Sequence, residues 1–204
     1  MVAQFRAAAT RAAQAGFDGA QLHGAHGYLL DQFLRDSVND RADIYGGSIE
    51  NRSRLLIEVV DAVSEVLGSG RVSVRISPLV SYNDIADSNP PELVRYLARE
   101  LSLRKIAFLE LRHDDHRAPA EQNLARIARQ YFQGPLFVNG AYDLASAQAT
   151  LAAGSADAVV FGKPFIANPD LVARLSAKQP LSALDPKTLY TPGAVGYTDY
   201  AKLA

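Results

Sequence analysis

Short apolar runs alternate along the chain with longer stretches in which apolar side chains recur every three or four positions. The first long stretch, 3–15, puts Phe5, Ala8, Ala9 and Ala12 on one face of a helix, and Gly16 stops it. Residues 17–22 read as a strand ending at His23. A polar stretch, 36–51, follows and turns at Gly46-Gly47. The pattern then predicts a helix over 49–67, with Ser48 as its cap, Glu50 in its first turn and Gly68 and Gly70 at its end. Val72-Ser73-Val74-Arg75-Ile76 is the next strand. Asn89-Pro90-Pro91-Glu92 opens a helix that runs to about Ser102: Asn89 caps, Pro90 suits the first helical position, and Glu92 completes a box-like pattern. Strands at 106–111, 136–138 and 158–161 then alternate with helices at 120–132, 143–153 and 168–176. The tail from Gln179 reads as irregular.

Alternation of this kind predicts an α/β fold with parallel strands and right-handed helical crossovers. The strand runs alternate poorly with polar residues, as expected of strands covered on both faces. No repeat or linker interrupts the pattern, so residues 1–204 are expected to form one domain. Two architectures remain open, a doubly wound sheet and a (β/α) barrel, and periodicity does not choose between them. A complete eight-stranded barrel needs about 250 residues, more than the 204 present.

Composition narrows the function classes. The chain has 21 Lys plus Arg against 22 Asp plus Glu, so no basic excess points to nucleic acid. It contains no cysteine, which removes disulfides, thiolate nucleophiles and cysteine-bound metals and fits a cytoplasmic protein. No apolar run reaches the roughly 18 residues of a membrane span, and the start lacks the apolar core of a signal peptide.

In either architecture chemistry collects beyond the carboxyl ends of the strands. After the first strand come His23, His26 and Tyr28. Two neutral imidazoles three residues apart can donate to one carbonyl or nitro oxygen, and a nearby tyrosine can give a proton. The same spacing also suits two packing histidines, and a zinc site lacks a third ligand. Arg75 lies in an apolar strand, where it needs a partner: a structural salt bridge is the better reading from the strand alone, an anionic cofactor the other. Asn139-Gly140-Ala141 and Gly162-Lys163-Pro164 follow the last two strands. Paired glycine turns there suit a phosphate and favour the barrel. His113-Asp114-Asp115-His116 reads as a solvated loop; metal binding is the lesser reading, because consecutive side chains cannot all face one ion.

The run from Gly16-Phe17-Asp18-Gly19 through His23-Gly24-Ala25-His26-Gly27-Tyr28 to Phe33-Leu34 closely resembles the signature segment of Old Yellow Enzyme-type flavin reductases. Asn39-Asp40-Arg41, Tyr45-Gly46-Gly47-Ser48, Glu50-Asn51-Arg52, Arg75-Ile76-Ser77-Pro78, Asn83-Asp84, Phe161-Gly162-Lys163-Pro164-Phe165 and Gly196-Tyr197-Thr198-Asp199-Tyr200 resemble it as well. The resemblance implies an eight-stranded (β/α) TIM barrel with non-covalent FMN, reduced by NADPH or NADH, that reduces small activated alkenes and nitro or nitrate ester groups. It implies that His23 and His26 bind the activating group and that Tyr28 supplies the proton. Arg75 would meet the polar edge of the isoalloxazine, and Asn139, Gly140, Ala141, Gly162 and Lys163 the phosphate. Tyr197 would line the substrate side, and the stretch from Asp43 to Arg54 would be scaffold held by its own ion pairs. Lys163 stands where the family usually has Arg, Ala141 where Gly is common, and Arg104-Lys105 where a Gly often ends the helix.

By the same resemblance His23 belongs to the fourth barrel strand. The chain is then expected to supply about strands four to eight, and a complementary N-terminal barrel chain to supply the first three with their flavin contacts. A five-stranded arc would leave two unpaired edges. Three readings stay open: one part of a two-chain enzyme, a non-enzymatic fragment or self-associating structural module without flavin, and a small open sheet without flavin. Oligomeric state is also left open.

Overall fold

The protein is described by a computed structural model covering residues 1–202. Its elements are α1 (Val2–Gln14), β1 (Ala20–Gly24), α2 (Leu29–Leu34), α3 (Ile49–Leu67), β2 (Val72–Ile76), α4 (Pro90–Leu103), β3 (Phe108–Arg112), α5 (Pro119–Tyr131), β4 (Leu136–Asn139), α6 (Leu144–Ala152), β5 (Ala158–Val160), α7 (Lys163–Ala167) and α8 (Leu171–Ser176). The chain divides into two compact units, Met1–Val159 and the remainder from Val160. No helix among the described residues is long and apolar enough to cross a membrane.

The strands pair in the order β1-β2-β3-β4-β5, and β1 to β4 are parallel. A doubly wound sheet reverses its strand order at a switch point. This order never reverses, so the sheet is part of a (β/α) barrel.

Local chemistry sets the helices. Ser48 Oγ accepts from Asn51 N at 3.3 Å to start α3, and Asn89 Oδ1 accepts from Glu92 N at 3.3 Å to start α4. Asp143 and Ser146 form a reciprocal capping box on α6. Leu56, Val59 and Val60 of α3 and Val94, Leu97 and Leu101 of α4 are fully buried in the same cluster as Val72, Val74, Leu109, Leu111 and Leu136 of the strands. Each such side chain contributes about 1.5–3 kcal/mol of apolar burial.

The strands do alternate, contrary to the sequence expectation. Leu22, Val74, Leu109, Leu111 and Val138 are buried in the core. Residues of the other parity share the opposite face: His23 pairs in register with Arg75, Arg75 with Glu110, and Glu110 with Phe137. One face is apolar and packed, and the other is polar and partly open.

Other boundaries moved for identifiable reasons. β1 starts at Ala20 rather than 17, because Gly16 has φ +84° and Phe17 is 67% exposed. The helix expected at 168–176 starts later: Asn168 lies outside helix, its Nδ2 donates to Pro164 O at 2.8 Å, and α8 begins only at Leu171 after Pro169, while the short α7 precedes it unpredicted. The short α2 had no separate periodic signal. Among the described residues the tail contains a single 3-10 turn, Pro186–Thr188. Within the 36–51 stretch Arg41 pairs with Asp43, and Arg54 donates to Ile44 O at 2.8 Å. Arg52 pairs both with Asp36 of this stretch at 3.7 Å and with Asp87 beyond it at 2.5 Å.

Candidate active site

The polar face begins with β1. His23 is exposed inside the strand, not beyond it, and the chain then turns through His26 at φ +58° and Gly27 at φ +71°. That turn is pinned on all sides. His26 N donates to Ser77 Oγ at 2.8 Å, Gly27 N to Asp31 Oδ2 at 3.0 Å, Gln32 Nε2 to Gly27 O at 2.7 Å and Asn83 Nδ2 to His26 O at 2.9 Å. A side chain at Gly27 would put a Cβ 2.5 Å from Tyr82 O, so the close approach requires glycine. Beneath the turn, Asp31 and Arg35 form an ion pair at 2.7 Å with both side chains 1% exposed. Arg35 also donates to the carbonyls of Ser77 and Pro78. One buried guanidinium thus ties α2 to the segment after β2.

This scaffold gathers three of the expected residues. The rings of His23 and His26 lie 5.4 Å apart, and those of His23 and Tyr28 5.5 Å apart. Tyr28 is exposed, and Tyr82 stands edge-on to His26 at 6.0 Å. Burial first, then the Arg75 charge, lowers the pKa of both histidines, that of His26 to about 4. Both imidazoles are therefore neutral near pH 7, and each can present one N–H to an oxygen without repelling Arg75.

Arg75 lies next to His23 in register and is 25% exposed. Its Nε lies 2.9 Å from Oε1 of Glu110, whose side chain is 5% exposed. Neither atom makes an aligned hydrogen bond, so the contact is an ion pair held by charge rather than direction. Gln21 Nε2 donates to the other carboxylate oxygen at 2.9 Å. Gln21 and Glu110 were missed in the sequence. The signal was there in the period-two spacing Gln21-x-His23 and Phe108-x-Glu110-x-Arg112, which puts them on the face of His23 and Arg75.

After β4, Gly140 takes φ +132°, and a Cβ there would stand 2.4 Å from His113 O. Ala141 follows at φ +52°, a left-handed position that costs a non-glycine residue roughly 1–2 kcal/mol. The loop expected to be solvated proves partly structural, because its outer members belong to packed elements. His113 is 1% exposed and its Nδ1 meets the Glu121 carboxylate, while His116 Nδ1 lies 2.9 Å from Gly140 O and its ring stacks on Tyr142 at 3.9 Å. The loop braces the Asn139-Gly140-Ala141 turn, and no metal-ligand cluster forms among the described residues.

The remaining expected residues belong to the second unit. Gly162 and Lys163 are exposed at the start of α7. Lys163 borders a cavity of about 370 Å³ lined also by Pro164, Asn168 and Leu181. Tyr197 is exposed, and its hydroxyl donates to Leu189 O at 3.0 Å.

The polar face of the first unit can receive an anionic group beside the Arg75 guanidinium. It offers a guanidinium that is 25% exposed, a pair of neutral imidazoles and, at Gly140, a turn too tight for any side chain.

Comparison with known proteins agrees with this chemistry. A family model described as the NADH:flavin oxidoreductase / NADH oxidase family matches residues 1–182. A probable flavin mononucleotide-dependent alkene reductase of Leishmania infantum is 50% identical over 196 residues, 96% of this chain and 53% of that protein. 12-Oxophytodienoate reductase 1 of Oryza sativa subsp. japonica is 43% identical over 207 aligned residues, 98% of this chain and 54% of that protein. Among solved structures, morphinone reductase in complex with tetrahydroNAD superposes with a TM-score of 0.94 at 45% identity, covering 100% of this chain and 55% of that one. An Old Yellow Enzyme homologue from Zymomonas mobilis gives a TM-score of 0.94 at 42% identity over 99% of this chain and 58% of that one. The chain thus spans about half the length of the relatives it matches.

Proposed function

Because the chain belongs to the NADH:flavin oxidoreductase / NADH oxidase family, we propose that it carries the substrate half of an FMN-dependent ene-reductase site and part of the flavin half. The observation that carries this reading is the pair of neutral imidazoles, His23 and His26, with rings 5.4 Å apart beside Tyr28 on the polar face.

Bound FMN would supply the hydride, drawn from NADH or NADPH, that reaches the β-carbon of an activated alkene. His23 and His26 hydrogen-bond the carbonyl or nitro oxygen and stabilise the negative charge that collects there as the double bond is reduced. Tyr28 delivers the proton that completes the product. Arg75 faces the polar edge of the flavin ring. The turn at Asn139, Gly140 and Ala141 would hold a phosphate; in the second unit, Gly162 and Lys163 are proposed as phosphate contacts and Tyr197 as a substrate-lining residue. A complementary N-terminal barrel segment would supply the remaining strands, consistent with the roughly twofold greater length of the relatives.

The test is product analysis with 2-cyclohexenone and N-ethylmaleimide, using the protein together with that segment. The expected result is FMN-dependent oxidation of NADPH or NADH matched by saturated product. Nicotinamide oxidation with no saturated product would overturn the assignment of His23, His26 and Tyr28.

A further inference from the structure

We propose that Glu110 is a positioning residue that sets how much of the Arg75 charge a bound flavin experiences. The inference rests on the flavin reading above and deepens it. Glu110 sits in the middle of β3, in register with Arg75 on one side and Phe137 on the other. Its side chain is 5% exposed, while that of Arg75 is 25% exposed. A carboxylate this buried is retained against its desolvation cost only with partners for its charge. It has two: Gln21 Nε2 donates to one oxygen at 2.9 Å, and Arg75 Nε lies 2.9 Å from the other.

The pairing uses the stem end of the guanidinium and leaves its outer edge for a ligand. Glu110 is also the sole ion-pair partner of Arg75 among the described residues. Two consequences follow. The carboxylate fixes the direction of Arg75 from inside the face. It also offsets part of the positive charge at a spot where screening by water is weak. Arg75 alone would favour a reduced, anionic flavin strongly. The buried carboxylate opposes that preference, lowers the midpoint potential and so makes the reduced flavin a stronger hydride donor to the alkene.

The test measures the midpoint potential of bound FMN, and the dissociation of its oxidised form, in the flavin-loaded protein. E110Q keeps the size of the side chain and an acceptor for Gln21 but removes the charge. E110D keeps the charge at shorter reach and guards against a folding failure of E110Q. The potential is expected to rise in E110Q and to stay near the parent value in E110D. An unchanged or lowered potential in E110Q, or equal rises in both variants, overturns the role of the charge. A parent protein that binds no FMN removes the flavin reading itself, and this inference with it, an outcome distinct from loaded protein with no shift.

Discussion

His26 is held neutral by burial and by the Arg75 guanidinium, with a pKa lowered from 6.5 to about 4. The depressed value means that the folded protein disfavours the imidazolium relative to the unfolded chain. Stability from this residue is complete above about pH 6.5 and is lost as pH falls toward 4. An NMR titration of the His26 ring should therefore give a midpoint well below 6.5, and a midpoint at or above the ordinary value would contradict the geometry. At the same scale, Tyr28 has a single proposed task. Y28F should slow alkene reduction by about 10²–10⁴-fold while leaving reduction of the bound flavin by nicotinamide unchanged, as followed by separate stopped-flow half-reactions. Equal losses in both half-reactions would assign Tyr28 to binding instead.

Among the elements, the two positions where the chain departs from a glycine expectation both carry left-handed backbone. Ala141 has φ +52° and Lys105 φ +53°. Lys105 follows α4 and is exposed, so its side chain contributes little to set against the strain. K105G should stabilise the protein by roughly 0.5–1 kcal/mol, a rise of about 2 °C in Tm; a calorimetric Tm that stays level or falls would count against it. Helices with a full amphipathic pattern and a side-chain cap were legible in the sequence: 49–67 matched to the residue, because Ser48 and Gly68 mark its ends. The six-residue α2 and the late start of the helix expected at 168–176 were not. They are set by bonds to distant parts of the chain, from Arg35 to the carbonyls of Ser77 and Pro78 and between Asn168 and Ser182, which leave no periodic trace. The polar parity of the strands was present in the sequence but hidden by reading each run as uniformly apolar.

For the molecule as a whole, the signature run pointed to His23, His26 and Tyr28 and a separate strand to Arg75, and the structure brings these four together with Glu110 and Gln21 on one face. The period-two spacing puts Glu110 and Gln21 on the same face as His23 and Arg75, but only the strand register shows that Glu110 stands beside Arg75. The strand order settles a choice that periodicity left open, because both candidate architectures share the same alternation of elements. This polar face is proposed to be a flavin site. The most direct test is the visible spectrum of the protein purified together with its complementary barrel segment. A flavin band that bleaches on adding NADPH or NADH anaerobically and returns on adding 2-cyclohexenone is the predicted result. A colourless protein that takes up no FMN when the cofactor is supplied in excess would contradict it.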